Sequence, residues 1–240
     1  MASALLAPLV ALLFPDRGVP PMVAAGRFRI AMAMVIAAAL LAAAAVSVRV
    51  DVGPAVRAEN AGAPPPPSAG APAPEQPMGE AKTDREIDEE IAKRTAVTRV
   101  KLGLGAALGT PTRIVLLALA LFLLGRYLGG KTTFQRALAA ASIGALPWAV
   151  RSLIAAAAAL RQEGIAPSDL DNLVAGGLSG AVSHPLLARV VGGADLFTLW
   201  SVVLCGFGLS AAAGIGRVRS LVAVAIGTAL FLLISSIGAR

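Results

Sequence analysis

An all-α, polytopic membrane fold, built as a bundle of five transmembrane helices with short interfacial helices, follows from three features of this 240-residue sequence. Five apolar stretches of 18 to 24 residues recur along it. Hydrophobic residues make up 57% of the chain and its mean hydropathy is +0.77, beyond the roughly one half apolar content of an ordinary soluble domain. The stretches also lack the period-2 alternation of barrel strands, and a helix satisfies every backbone group without water. At about 1.5 Å per residue they give helices of about 27 to 36 Å, against a hydrocarbon core of about 30 Å.

Residues 1–29 open with an apolar segment, ending Leu12-Leu13-Phe14, that is too short to span, carries no early basic residue and stops at Pro15. This reads as a cytoplasmic, interfacial segment and not as a cleaved signal peptide. The first span covers residues 30–48. It leads into a 62-residue connection, Arg49 to Thr110, whose middle contains Pro64-Pro65-Pro66-Pro67, Pro72, Pro74 and Pro77. That composition predicts a disordered, partly polyproline tether from Gly62 to Gly79.

After the tether, Thr83-Asp84-Arg85-Glu86 has capping-box spacing, and Ile87 and Ile91 share a face among charged neighbours. The pattern predicts an amphipathic helix to about Leu104, lying on the membrane surface until a break at Gly109-Thr110-Pro111 starts the second span. Residues 111–239 form a four-helix membrane region with spans Pro111–Leu128, Ala137–Leu160, Leu196–Ile215 and Ser220–Ala239. Between the third and fourth lie a second capping signature, Ser168-Asp169-Leu170-Asp171, and a short apolar run from Pro185 to Val191, which read as two interfacial helices.

The net charge of +7 would point to nucleic acid in a soluble protein, but here the charges sit at helix ends, where lipid headgroups meet them. With five spans the termini face opposite sides. The amino-terminal side carries eight basic residues against Asp16 alone, and five of the eight lie in two very short connections; the other side holds 13 basic and 13 acidic residues. The amino terminus is therefore expected in the cytoplasm and the carboxyl terminus in the periplasm of an inner membrane.

Chemistry-bearing motifs are few. Gly125-Arg126-Tyr127-Leu128-Gly129-Gly130-Lys131-Thr132 fits GxxxxGK[ST], the phosphate-loop pattern, but it begins inside a membrane span instead of following a buried strand. It reads as a glycine-rich turn whose cations meet headgroups. His184, the only histidine, is near Asp169 and Asp171 in sequence, a weak metal signal. Cys205, the only cysteine, lies in the fourth span, so no intrachain disulfide forms. No serine-histidine-aspartate set and no paired intramembrane carboxylates occur; catalytic, cofactor and metal sites are not expected.

Arg151 stands out, 14 positions after Ala137 and nine before Leu160 in an otherwise uncharged span. An arginine near the bilayer centre costs about 2.5 to 3.5 kcal/mol on insertion scales. Two readings answer that cost: a partner in Asp195, which enters the fourth span from the same side, or a helix broken at Pro147-Trp148 that lets Arg151 reach the interface with Trp148 as anchor. Small residues at Gly105/Gly109, Gly125/Gly129, Gly176/Gly180 and Gly206, Ser210 and Gly214 favour close helix packing, within one chain or between two.

Three segments carry a resemblance: Gly129-Gly130-Lys131-Thr132-Thr133-Phe134-Gln135-Arg136, Pro147 in the third span, and Asp195-Leu196-Phe197-Thr198-Leu199-Trp200-Ser201 opening the fourth. From Arg27 to Ala239 the chain resembles the Yip (Ypt/Rab-interacting protein) family of membrane proteins, in its bacterial form. The resemblance implies five helices, a cytoplasmic amino terminus and, from the eukaryotic members, a link to vesicle traffic and small GTPases. The chain lacks the Asp-Leu-Tyr-Gly-Pro signature and the long amino-terminal region of those members. The expected function is non-enzymatic: binding or organising other membrane components, with the lipid bilayer, a membrane-protein partner or a second copy as partner, and neither nucleic acid nor nucleotide. The alternative is a small transporter in which Arg151 faces an intramembrane cavity.

Overall fold

Caps and prolines set where the helices begin and end in this computed structural model, which describes residues 2–60, 83–161 and 195–238. Its elements are α1 (Ala2–Leu13), α2 (Pro15–Ala24), α3 (Arg29–Arg49), α4 (Gly53–Asn60), α5 (Asp84–Leu104), α6 (Thr110–Tyr127), α7 (Phe134–Gly144), α8 (Leu146–Arg161), α9 (Leu196–Ala213) and α10 (Arg217–Gly238). Among the described residues there is no β-strand, so the fold is all-α. The proline tether, the capping signature at Ser168, the Pro185 run, His184 with Asp169 and Asp171, and the Gly176/Gly180 pair lie outside the described residues.

Among the described residues, four helical runs are long and apolar enough to cross a membrane: α3, Asp84–Tyr127, Phe134–Arg161 and α9. The count expected from sequence was five. The last helix, α10, packs on α9, with Leu221 pressed against Gly206.

The expected break at Gly109-Thr110-Pro111 is absent. Helix α5 runs through a π turn, Gly105–Gly109, straight into α6, making one helix of 44 residues. Pro111 has no N–H to return to Ala107, and a π turn just before it shifts the hydrogen-bond register so that the helix survives. Thr112 adds a side-chain bond, its Oγ1 donating to the Leu108 carbonyl at 2.7 Å. The start matches the capping reading, since the Glu86 carboxylate accepts from both the Thr83 N–H (2.8 Å) and its hydroxyl (2.9 Å).

The apolar face of α5 has a protein partner. Ile87 and Ile91 pack on a small cluster of Val46, Val50, Val52, Val56 and Ala159, in which α4 supplies Val56. Arg94 clamps the two helices, 2.8 Å from Glu59 of α4 and 2.6 Å from Glu90 of its own helix. The amino-terminal segment also gains a packing role that its sequence left open: Ala11, Val19 and Val23 are fully buried in the main core.

That core lies between α6, α7 and α9, from Ile114, Ala118 and Leu121 through Ala139, Ala140 and Ile143 to Leu204 and Leu209. Small residues let α7 and α9 approach: a Cβ on Gly208 would meet the Ala140 Cβ at 2.7 Å, and one on Gly144 would overlap the Cys205 sulfur. Antiparallel succession gives the bundle two ends. At the loop end the Gly129–Lys131 turn meets the close of α9, Lys131 N–H donating to the Ala213 carbonyl at 3.1 Å. At the linker end Arg49 of α3 donates to the Leu160 carbonyl of α8 at 3.2 Å.

Candidate functional site

The third span is two helices, and its break creates the polar centre of the bundle. Pro147 offers no N–H to the Ile143 carbonyl and its ring crowds that oxygen, so α7 ends at Gly144 and α8 restarts at Leu146. At the break Trp148 N–H turns to Ala145 (3.1 Å), leaving the Gly144 carbonyl without its i+4 donor. A buried orphan carbonyl is costly. Ser201 of α9 supplies the missing bond, its hydroxyl donating to Gly144 at 2.6 Å in a fully buried setting.

Arg151 lies just beyond this break, in the second turn of α8, and the structure brings it to Asp195: Nη1 is 3.3 Å from Oδ2. The helix is broken at Pro147, and Arg151 also has a carboxylate partner. Asp195 is 6% exposed at its side chain, whereas Arg151 keeps 42%. Asp195 has a second task, because its Oδ1 accepts from the Thr198 N–H at 2.7 Å and caps α9. One carboxylate thus starts α9 and ties it to α8. Trp148 is half-buried and packs against the main core, with its carbonyl accepting from the Ser152 hydroxyl at 2.9 Å.

Reasoning from sequence named Arg151, Asp195, Pro147 and Trp148 but not Ser201, Gly144 or the capping role of Asp195. The cap was visible as an aspartate directly ahead of an apolar run. The Ser201–Gly144 bond, 57 residues apart, had no local signal.

The phosphate-loop pattern forms no cradle. The N–H groups of Gly129, Gly130 and Lys131 all donate to protein carbonyls, those of Arg126 (3.0 Å), Gly125 (2.9 Å) and Ala213 (3.1 Å), so these three are not free to hold a phosphate. The glycines serve geometry instead. Gly129 has φ of +81°, and a Cβ on Gly130 would sit 2.6 Å from that of Ala213. Cys205 is a buried free thiol.

No curated protein and no solved structure matches the chain. The model of one family, the Yip1 domain, matches residues 5–239, nearly the whole length. With the apolar helices described above, that match makes this a multi-pass membrane protein, and it belongs to the Yip1 domain family.

Proposed function

We propose that this protein crosses an inner membrane five times, with α10 as the fifth span, its amino terminus in the cytoplasm and its carboxyl terminus in the periplasm. In this reading it works without catalysis, by binding and organising other membrane components. The observation that carries the reading is the use made of the bundle's polar side chains. Arg151 and Asp195 lock α8 to α9, and Ser201 closes the break in the third span. These groups are committed to holding helices together. Two clefts lie at Gly129–Lys131 and along α4–α5, and Arg151 lines neither of these two.

The test is crosslinking and affinity capture from native membranes, comparing wild type with Arg151→Ala and Asp195→Ala at equal abundance. A specific membrane protein captured with wild type and lost with the variants supports the organising role. Turnover of a nucleotide or lipid by the purified protein, abolished by Arg151→Ala, would overturn it. Orientation is tested separately in a Cys205→Ala background: an impermeant maleimide added to intact cells should label Arg161→Cys and spare Lys131→Cys.

A further inference from the structure

At the loop end, a cleft of about 350 Å³ opens between the Gly129–Lys131 turn, Arg136 and the closing turn of α9 at Ala213 and Gly214. Its volume is at the low end of the roughly 300 to 1,000 Å³ of small-ligand sites. Two cations, Lys131 and Arg136, line it. Neither has a carboxylate or ring partner among the described residues. Their neighbours differ: Arg126 lies over the Phe122 ring at 5.7 Å and Arg217 over Phe207 at 5.5 Å.

Three contributions to the local field are positive. Arg136 sits in the first turn of α7, where a helix dipole disfavours a cation and favours an anion, and that turn contains no acidic residue. Lys131 adds a second charge three residues before α7. The opposite wall is the end of α9, where three acceptors are engaged within the protein: the Ser210 carbonyl by Gly214 N–H (2.9 Å), Ala213 by Lys131 N–H, and the following Ile215 carbonyl by the Ser210 hydroxyl (2.7 Å). With α9 read as a membrane span, the cleft falls at headgroup depth. Helix α9 closes there after 18 apolar-rich residues, about 27 Å, and Tyr127, 87% exposed, lies two residues before the turn.

We infer that this cleft binds a phosphate-bearing anion through the side chains of Lys131 and Arg136, and that its natural source is the headgroup of an anionic membrane lipid. The two cations recognise the phosphate by charge and side-chain hydrogen bonds, since the turn's amides are engaged within the protein.

The experiment uses the full chain in phosphatidylcholine nanodiscs with increasing phosphatidylglycerol, with bound phosphatidylglycerol counted by native mass spectrometry after gentle release. Lys131→Gln and Arg136→Gln should each weaken phosphatidylglycerol retention about fivefold and leave phosphatidylcholine unchanged, with the thermal melt confirming the fold. Arg219→Gln, an exposed cation of α10 outside the cleft, is the control and should weaken retention less than twofold. Equal losses for all three, or none for Lys131→Gln and Arg136→Gln, would overturn the proposal. A second arm adds glycerol 3-phosphate to pure phosphatidylcholine nanodiscs. Saturable binding lost in Lys131→Gln would support the phosphate site and assign it to a soluble ligand; no binding, with phosphatidylglycerol retained, would assign it to the lipid.

Discussion

Replacing Asp195 with asparagine or with alanine separates the two tasks of one carboxylate. Asparagine caps a helix about as well as aspartate but carries no charge. Asp195→Asn therefore keeps the 2.7 Å bond to Thr198 N–H and removes only the pairing with Arg151; alanine removes both. The pairing is at 3.3 Å, but with Arg151 42% exposed its worth is trimmed by screening. Exposed pairs contribute about 0 to 1 kcal/mol, and interhelical polar contacts in membranes reach about 1.7 kcal/mol. We expect Asp195→Asn to cost about 1 to 2 kcal/mol. Loss of the cap adds about 1 kcal/mol, so Asp195→Ala should cost about 2 to 3 kcal/mol. Arg151→Met completes a double-mutant cycle with Asp195→Asn, and the coupling should equal the charge contribution alone. The assay is reversible unfolding in mixed micelles, followed by helical circular dichroism as denaturing detergent increases. Zero coupling, or an Asp195→Asn chain as stable as wild type, would refute the assignment of Asp195 as partner to Arg151.

Ser201→Ala leaves the Gly144 carbonyl buried without a donor and should cost about 1 to 3 kcal/mol in the same assay. Gly144→Ala drives a Cβ into the Cys205 sulfur, costing about 1 to 3 kcal/mol; Cys205→Ala should restore most of it, because the Cys205 Cβ stands 3.5 Å away. Gly129→Ala, at φ of +81°, should lower stability by about 1 kcal/mol in that assay. Equilibrium dialysis with a labelled ATP analogue should find no magnesium-dependent binding that is lost on Thr132→Ala, the loss a phosphate loop requires.

Sequence carried the fold class because hydropathy acts residue by residue, and the Thr83 cap and the Pro147 break because each is local chemistry. The Arg151–Asp195 pairing was also within reach, since a charge in an apolar span demands an answer and few residues could give one. What stayed hidden depended on neighbours distant in sequence. The bond from Ser201 to Gly144 exists only because Pro147 frees a carbonyl facing α9. Ile87 and Ile91 gave a correct apolar face but could not say whether lipid or α4 would cover it. Gly109-Thr110-Pro111 has the composition of a terminator, and the π turn that carries the helix past it leaves no reliable mark in the sequence.

The 44-residue helix has a mechanical consequence. At about 1.5 Å per residue it is a rod of about 66 Å, twice the thickness of a hydrocarbon core. A rod that long must extend well outside the bilayer, where α4 braces it through Val56 and the Arg94 clamp. Between the braced part and α6 lies the π turn, Gly105–Gly109, where a Cβ added at either end would meet nothing within 4 Å. One continuous helix is thus fastened twice, by α4 on its outer part and by the main core around Ile114, Ala118 and Leu121, so the packing outside the bilayer sets where α6 enters the bundle.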